Sequence, residues 1–242
     1  MNEDEWLTGT DFTAHVRFAL DRLSPRRQRL LAVGFCRAVG DLFDHPDLTD
    51  ALDVIERYAD GRVPPAAVER ARQECREVAQ QAHAAYRLAI DAGSEGALAC
   101  SVRSALAWAV SFAATSPLPV ELVGTSVLSA VVQAQTRAIE LVPVSTAEFD
   151  AACAAQHRVM RGGVWEVVGN PFRVAHFPGE WRTDTAVSLA RQMYESREFS
   201  AMPILADALQ DAGCDDEELL AHCRGEGGHV RGCWAVDLVL GE

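Results

Sequence analysis

The sequence predicts an all-α fold, a multi-helix bundle followed by a smaller helical C-terminal module. Three observations predict it. From Asp11 to about Val168, apolar residues recur at three- and four-residue spacings; Pro and Gly fall where such runs should begin and end; and period-two, strand-like stretches are nearly absent. With 49% hydrophobic and 24% charged residues over 242 positions, the chain has the composition of a globular protein able to bury a core.

Taken in order, Ser24-Pro25 supplies a hydroxyl N-cap followed by Pro at the first helical position. Leu30, Val33, Leu42 and Phe43 form the apolar side of a helix that should stop near His45-Pro46. The next helix contains Leu52, Val54, Ile55 and Tyr58 and ends at Asp60-Gly61, where glycine suits a left-handed terminal residue. Pro64-Pro65 restarts the chain. Val68, Ala71, Cys75, Val78, Ala82, Ala85 and Ile90 then mark a long amphipathic helix from Ala66 to Ala92. Two helices rich in Ala, Ser and Val follow, from Ser94 to about Thr115 and from Val120 to about Val142. Their small side chains permit close approach and place them centrally in the bundle. Ser145-Thr146-Ala147-Glu148 reads as a capping box opening a helix toward Arg161, which Gly162-Gly163 ends or kinks.

The loop from Gly169-Asn170-Pro171-Phe172 to Gly179 divides a bundle at residues 1–168 from a C-terminal module at residues 169–242. In that module Thr183 caps a helix carrying Val187, Leu189, Ala190, Met193 and Tyr194, and a second runs from about Met202 to Ala212, before Gly213. Asp215-Asp216-Glu217-Glu218 opens a third, with acids where the helix dipole favours them, and Gly225, Gly227 and Gly228 end it. The segment from His229 to Leu240 alternates like a strand through Trp234, Val236, Leu238 and Leu240. Helix is favoured there because no partner strand is evident and Val230, Cys233, Trp234 and Leu238 share a helical face.

Charge removes several function classes. All 22 basic residues are Arg, against 35 acidic ones, for a formal charge of −13. Without Lys, Schiff-base and P-loop chemistries are excluded, and GC-rich coding is the favoured explanation of an Arg-only, Ala-rich chain. The acidic balance disfavours nucleic acid, whose phosphates it repels. The most apolar stretch, Ser104 to Thr136 with Glu121 as its one charge, is broken by Pro117 and Pro119 into pieces shorter than the roughly 20 residues that span a bilayer. Seven Cys at scattered positions, and an acidic start with no apolar leader, lead to an expectation of reduced thiols and a cytoplasmic location.

The motifs Gly169-Asn170-Pro171-Phe172-Arg173, Trp181-Arg182-Thr183, Met202-Pro203-Ile204-Leu205-Ala206-Asp207-Ala208-Leu209, Ala212-Gly213-Cys214, His222-Cys223-Arg224-Gly225 and His229-Val230-Arg231-Gly232-Cys233-Trp234 resemble those of an expanded family of bacterial paralogues from GC-rich, large-genome bacteria. Arg29-Leu30, Cys36-Arg37 and Glu56-Arg57-Tyr58-Ala59-Asp60-Gly61 extend the resemblance toward the N-terminus. It implies no activity, cofactor or catalytic residue, and lends slight support to an adaptor role.

Two polar constellations stand out. Cys214, Cys223, His229 and Cys233, with His222 beside them, follow C-x8-C-x5-H-x3-C, which resembles the CCCH zinc-finger spacing with its last two ligand types exchanged. Such soft and borderline donors suit tetrahedral zinc, and buried thiols acting as small core residues are the alternative. Arg173, Trp181, Arg182, Arg224 and Arg231 are candidates for a carboxylate or phosphate pocket, or for arginines that pair with Asp184, Glu195, Asp207 or Asp237 and fix the loop. For the basic run Arg26-Arg27-Gln28-Arg29, pairing with Asp41, Asp44, Asp47 and Asp50, within the chain or with a partner helix, is favoured over contact with an acidic partner or nucleic acid. The reading that follows is a non-catalytic protein-protein interaction or regulatory scaffold with another protein as partner and no cofactor. The alternative is a zinc-stabilised regulatory module. A third reading is a cysteine enzyme with Cys223 or Cys233 as nucleophile, His222 or His229 as base and Asp237 as orienter.

Overall fold

A computed structural model describes residues 1–39, 45–94, 96–136, 146–173, 176–225 and 228–242, and these form twelve α-helices and no strand. The all-α expectation is met. Leu42, Phe43, Asp41, Asp44, Ser145 and Gly227 lie outside the described residues, as do the side chains of Glu121, Glu148 and Cys153. The chain divides into two compact units, Glu3–Arg161 and Gly162–Glu242.

The first unit opens with α1 (Glu3–Thr8) and α2 (Phe12–Leu20), ahead of the bundle proper. In α3 (Pro25–Arg37), the Ser24 hydroxyl accepts from Arg27 N–H at 3.3 Å, the cap that its sequence announces. The helix stops at Arg37, well before His45, where the guanidinium turns to Asp53 and Glu56 of α4 (Pro46–Ala59) at 2.5 and 2.6 Å. Gly61 adopts φ +69° after α4, and α5 (Pro65–Asp91) starts at the expected proline. The small-residue helices α6 (Ala97–Ala113) and α7 (Val120–Thr136) are central: α6 packs on α5, α7, α3 and α4. Close approach is needed here, because a Cβ on Gly124 of α7 would meet the Phe12 ring at 2.9 Å.

The last helix of the bundle does not end at Gly162-Gly163. Instead, α8 continues as one helix, Thr146–Val168. Two mid-helix glycines cost about 1 kcal/mol each relative to Ala, but Val164 and Val167 just beyond them are fully buried, and that burial outweighs the cost. The division between the units falls within this helix, so its last turns belong to the C-terminal unit.

That unit continues through a 3-10 turn at Gly179–Trp181 into α9 (Asp184–Ser196), α10 (Met202–Asp211), α11 (Glu217–Arg224) and α12 (Trp234–Leu240). Thr183 caps α9 and Asp216 caps α11, each through its side-chain oxygen. Trp181, Met193, Met202, Leu205, Leu209, Leu219, Val236 and Val239 meet in one apolar core. The segment read as a helix from His229 begins to coil only at Trp234. Residues 229–233 instead form a turn, tightened by Cys233 N–H donating to Val230 C=O at 3.0 Å and by Gly232 at φ +87°.

Candidate metal centre

Four side chains of the C-terminal unit converge: Glu166, His222, His229 and Cys233 each offer one donor atom, and all four atoms lie within 4.8 Å of one another. Three parts of the chain supply them. Glu166 stands near the end of α8 among Val164, Trp165, Val167 and Val168, and is buried. His222 is in the last turn of α11. His229 and Cys233 flank the turn that leads into α12. Arg231 anchors this turn by donating to the Tyr194 and Glu195 carbonyls at 2.7 and 3.1 Å, at the end of α9.

Within the group, His229 Nδ1 lies 2.6 Å and His222 Nε2 3.5 Å from Glu166 Oε1, and His222 Nε2 lies 3.2 Å from Cys233 Sγ. The imidazoles meet edge to face at 5.0 Å; Trp234 lies against His222 at 5.0 Å and Phe199 against His229 at 6.2 Å. Trp234 in turn rests on Gly169, which follows α8 with φ +69°. A Cβ there would lie 3.0 Å from the indole. Backbone geometry at the end of α8 and the seat of the ring beside His222 therefore depend on the same residue.

The electrostatics follow from burial and proximity. Burial alone would raise the Glu166 pKa, but hydrogen bonds from His222 and His229, with their charges, outweigh it and hold the carboxyl down at about 2. The Cys233 thiol is pushed well above its ordinary value by burial and by the Glu166 carboxylate. Although a Cys–His contact is the starting geometry of nucleophilic catalysis, Cys233 is 0% exposed, and its burial disfavours the thiolate that attack on a substrate needs. Asp237, the sequence candidate for orienter, is buried on α12 and is not one of the four clustered groups.

One thiol, two imidazoles and a carboxylate are the donor kinds that zinc takes in tetrahedral sites. Bonds of about 2.0 to 2.3 Å imply donor-to-donor edges of roughly 3.3 to 3.8 Å. The observed separations bracket that range, with the 2.6 Å Glu166–His229 contact having to open most and the 3.2 Å His222–Cys233 contact slightly. Of the five residues in the sequence-based ligand set, His222, His229 and Cys233 meet here. Cys214 and Cys223 are instead buried members of the apolar core. Burial raises both thiols, Cys223 to about 12 with the Glu166 charge and Cys214 contributing. As its neighbour on α11, Cys223 points about 100° away from His222.

Sequence reasoning missed Glu166, which lies far upstream of the Cys/His cluster. Its signal was a single acid inside the apolar run Val164-Trp165-Glu166-Val167-Val168. The arginine candidates have separate partners. Arg173 pairs with Glu218 at 3.3 Å, and Arg224 donates to Asp207 and Gln210. Arg182 donates to the Val239 and Leu238 carbonyls that end α12, and lies over Phe177, which meets buried Trp181 edge-on. Arg231 stacks on Tyr194 and lies 3.8 Å from Glu195. No helix among the described residues is long and apolar enough to cross a membrane. No family model, curated protein or solved structure matches the chain.

Proposed function

We propose that this protein is a non-catalytic regulatory or interaction module whose C-terminal unit is held by one zinc ion, bound through Glu166, His222, His229 and Cys233. The convergence of four donors of the kinds zinc prefers, within 4.8 Å, carries the reading. Four protein ligands complete a tetrahedral shell and leave no position for a substrate or an activated water, which is the arrangement of structural centres. The ion ties α8 and α11 to the turn before α12, and so fixes the surface that the unit offers to another protein. A protein partner suits the net charge of −13 better than a nucleic acid does. Membership of the bacterial paralogue family that the C-terminal motifs resemble belongs to the same proposal, and adds no activity to it.

Elemental analysis of untagged protein purified under reducing conditions tests the reading, followed by thermal melts with and without chelator. About one zinc per chain and a melt that falls with chelator are expected. Metal-free protein that takes up no added zinc, with an unchanged melt, would return the four residues to the core as a hydrogen-bonded group.

A further inference from the structure

The N-terminal unit contains a second feature, independent of the metal centre. A cavity of about 410 Å³ opens among α3, α4, α5 and the turn after α6, lined by Arg29, Tyr58, Val68, Glu69, Arg72 and Ser116 among others. Arg29 is 7% exposed. It donates to the Ala113 and Thr115 carbonyls at 2.7 and 3.2 Å, which end α6, and its guanidinium lies over the Tyr58 ring at 5.1 Å. Those two bonds use two of the five N–H groups that a guanidinium carries. No carboxylate pairs with Arg29 among the described residues.

Arg72 differs, because Glu69 receives both its Nε and Nη2, and that pair is electrically neutral. Among the described residues, the cavity therefore holds one positive charge with no carboxylate beside it, in its wall. Burial lowers the Arg29 pKa, and the one group that works to raise it is Tyr58. A buried cation with carbonyl partners alone is costly unless something supplies the counter-charge. The end of the α6 dipole supplies part of it. Val68, the Tyr58 ring and the nearby Pro65 and Ala114 give the rest of the cavity an apolar wall.

We propose that this cavity is a binding site for a small organic monocarboxylate with an aromatic or short aliphatic body, its carboxylate on Arg29 and its apolar part against Val68 and Tyr58. The volume fits the lower range of small-molecule sites, and a guanidinium with free N–H groups is the side chain best shaped for a carboxylate. A single net charge in the cavity, within a chain of net charge −13, selects a monoanion over phosphate.

The test is isothermal titration of the full chain with benzoate, hexanoate and indole-3-acetate, each beside its neutral amide, and with inorganic phosphate. At least one acid should bind saturably and about tenfold or more tighter than its amide, and Arg29→Gln should remove that preference. Because Arg29→Gln also loses the two carbonyl bonds, two exposed positions provide a second handle. Glu69→Gln, which frees Arg72, should tighten the acid several-fold, and Ser116→Asp should weaken it by a similar factor, with the amide unmoved by either. The proposal is overturned if none of the acids binds saturably, if amides bind as well as acids, if phosphate binds best, or if the Glu69 and Ser116 variants leave the acid's affinity unchanged.

Discussion

Glu166 brings a charge into a helix face that is otherwise apolar, and two imidazoles and a thiol gather around it. If these are zinc ligands, Glu166→Gln and Cys233→Ser should each weaken zinc by about a hundredfold, or about 2.7 kcal/mol, in competition with a chromophoric chelator. Cys223→Ser should leave zinc stoichiometry at one and lower stability by about 1 to 3 kcal/mol, since it puts a hydroxyl into the apolar core. The proton count is a separate check. Burial and the Glu166 charge favour the protonated Cys233 thiol, so zinc must displace a proton to bind it. Titration in weak buffer at pH 7 should release at least about one proton per zinc, and affinity should fall as pH is lowered. Cys233→Ser should abolish most of that release. The sequence pointed to His222, His229 and Cys233 because soft donors close together in the chain are conspicuous. Glu166 was not conspicuous, because nothing local says which residue a distant helix will bring to the same place.

At the scale of elements, caps and prolines were readable because they act over four residues. Ser24 and Thr183 each accept the backbone N–H that their spacing foretold, and Asp216 does the same at the start of α11. Thr183→Ala should therefore cost about 1 kcal/mol, seen as a lowered melting temperature. The glycine pair in α8 does not end the helix, for the opposite reason. Its cost is local, but the burial that overrides it comes from residues elsewhere in the fold. Gly162 has open space around its Cα, so Gly162→Ala should raise stability by about 0.5 to 1 kcal/mol. Gly169→Ala should do the reverse, since φ is +69° there and the new methyl presses on Trp234. Melts of the two variants, run side by side, distinguish a tolerated helical glycine from a required terminal one. The turn before α12 shows the same limit: its alternation and helical face were both present in the sequence, and the anchoring of Arg231 on the end of α9 decided where the helix starts.

On the whole-molecule scale, the two compact units make different predictions about metal removal. Hydrogen exchange with and without chelator should show faster exchange in α8 beyond Gly162, in α11 and in the 229–233 turn, with α3 to α6 unchanged. Equal acceleration in both units would argue against a centre confined to residues 162–242. Composition and periodicity by themselves determined the all-α class, the order of most helices and their capped starts. They also determined the acidic character of the chain, because these depend on residues adjacent in the chain or on sums over it. Which donors meet, which thiols turn into the core and which carbonyls Arg29 finds were decided only by tertiary packing. Those properties depend on residues far apart in sequence, Glu166 with Cys233 and Arg29 with Ala113, and their contact exists only once the helices between them have packed.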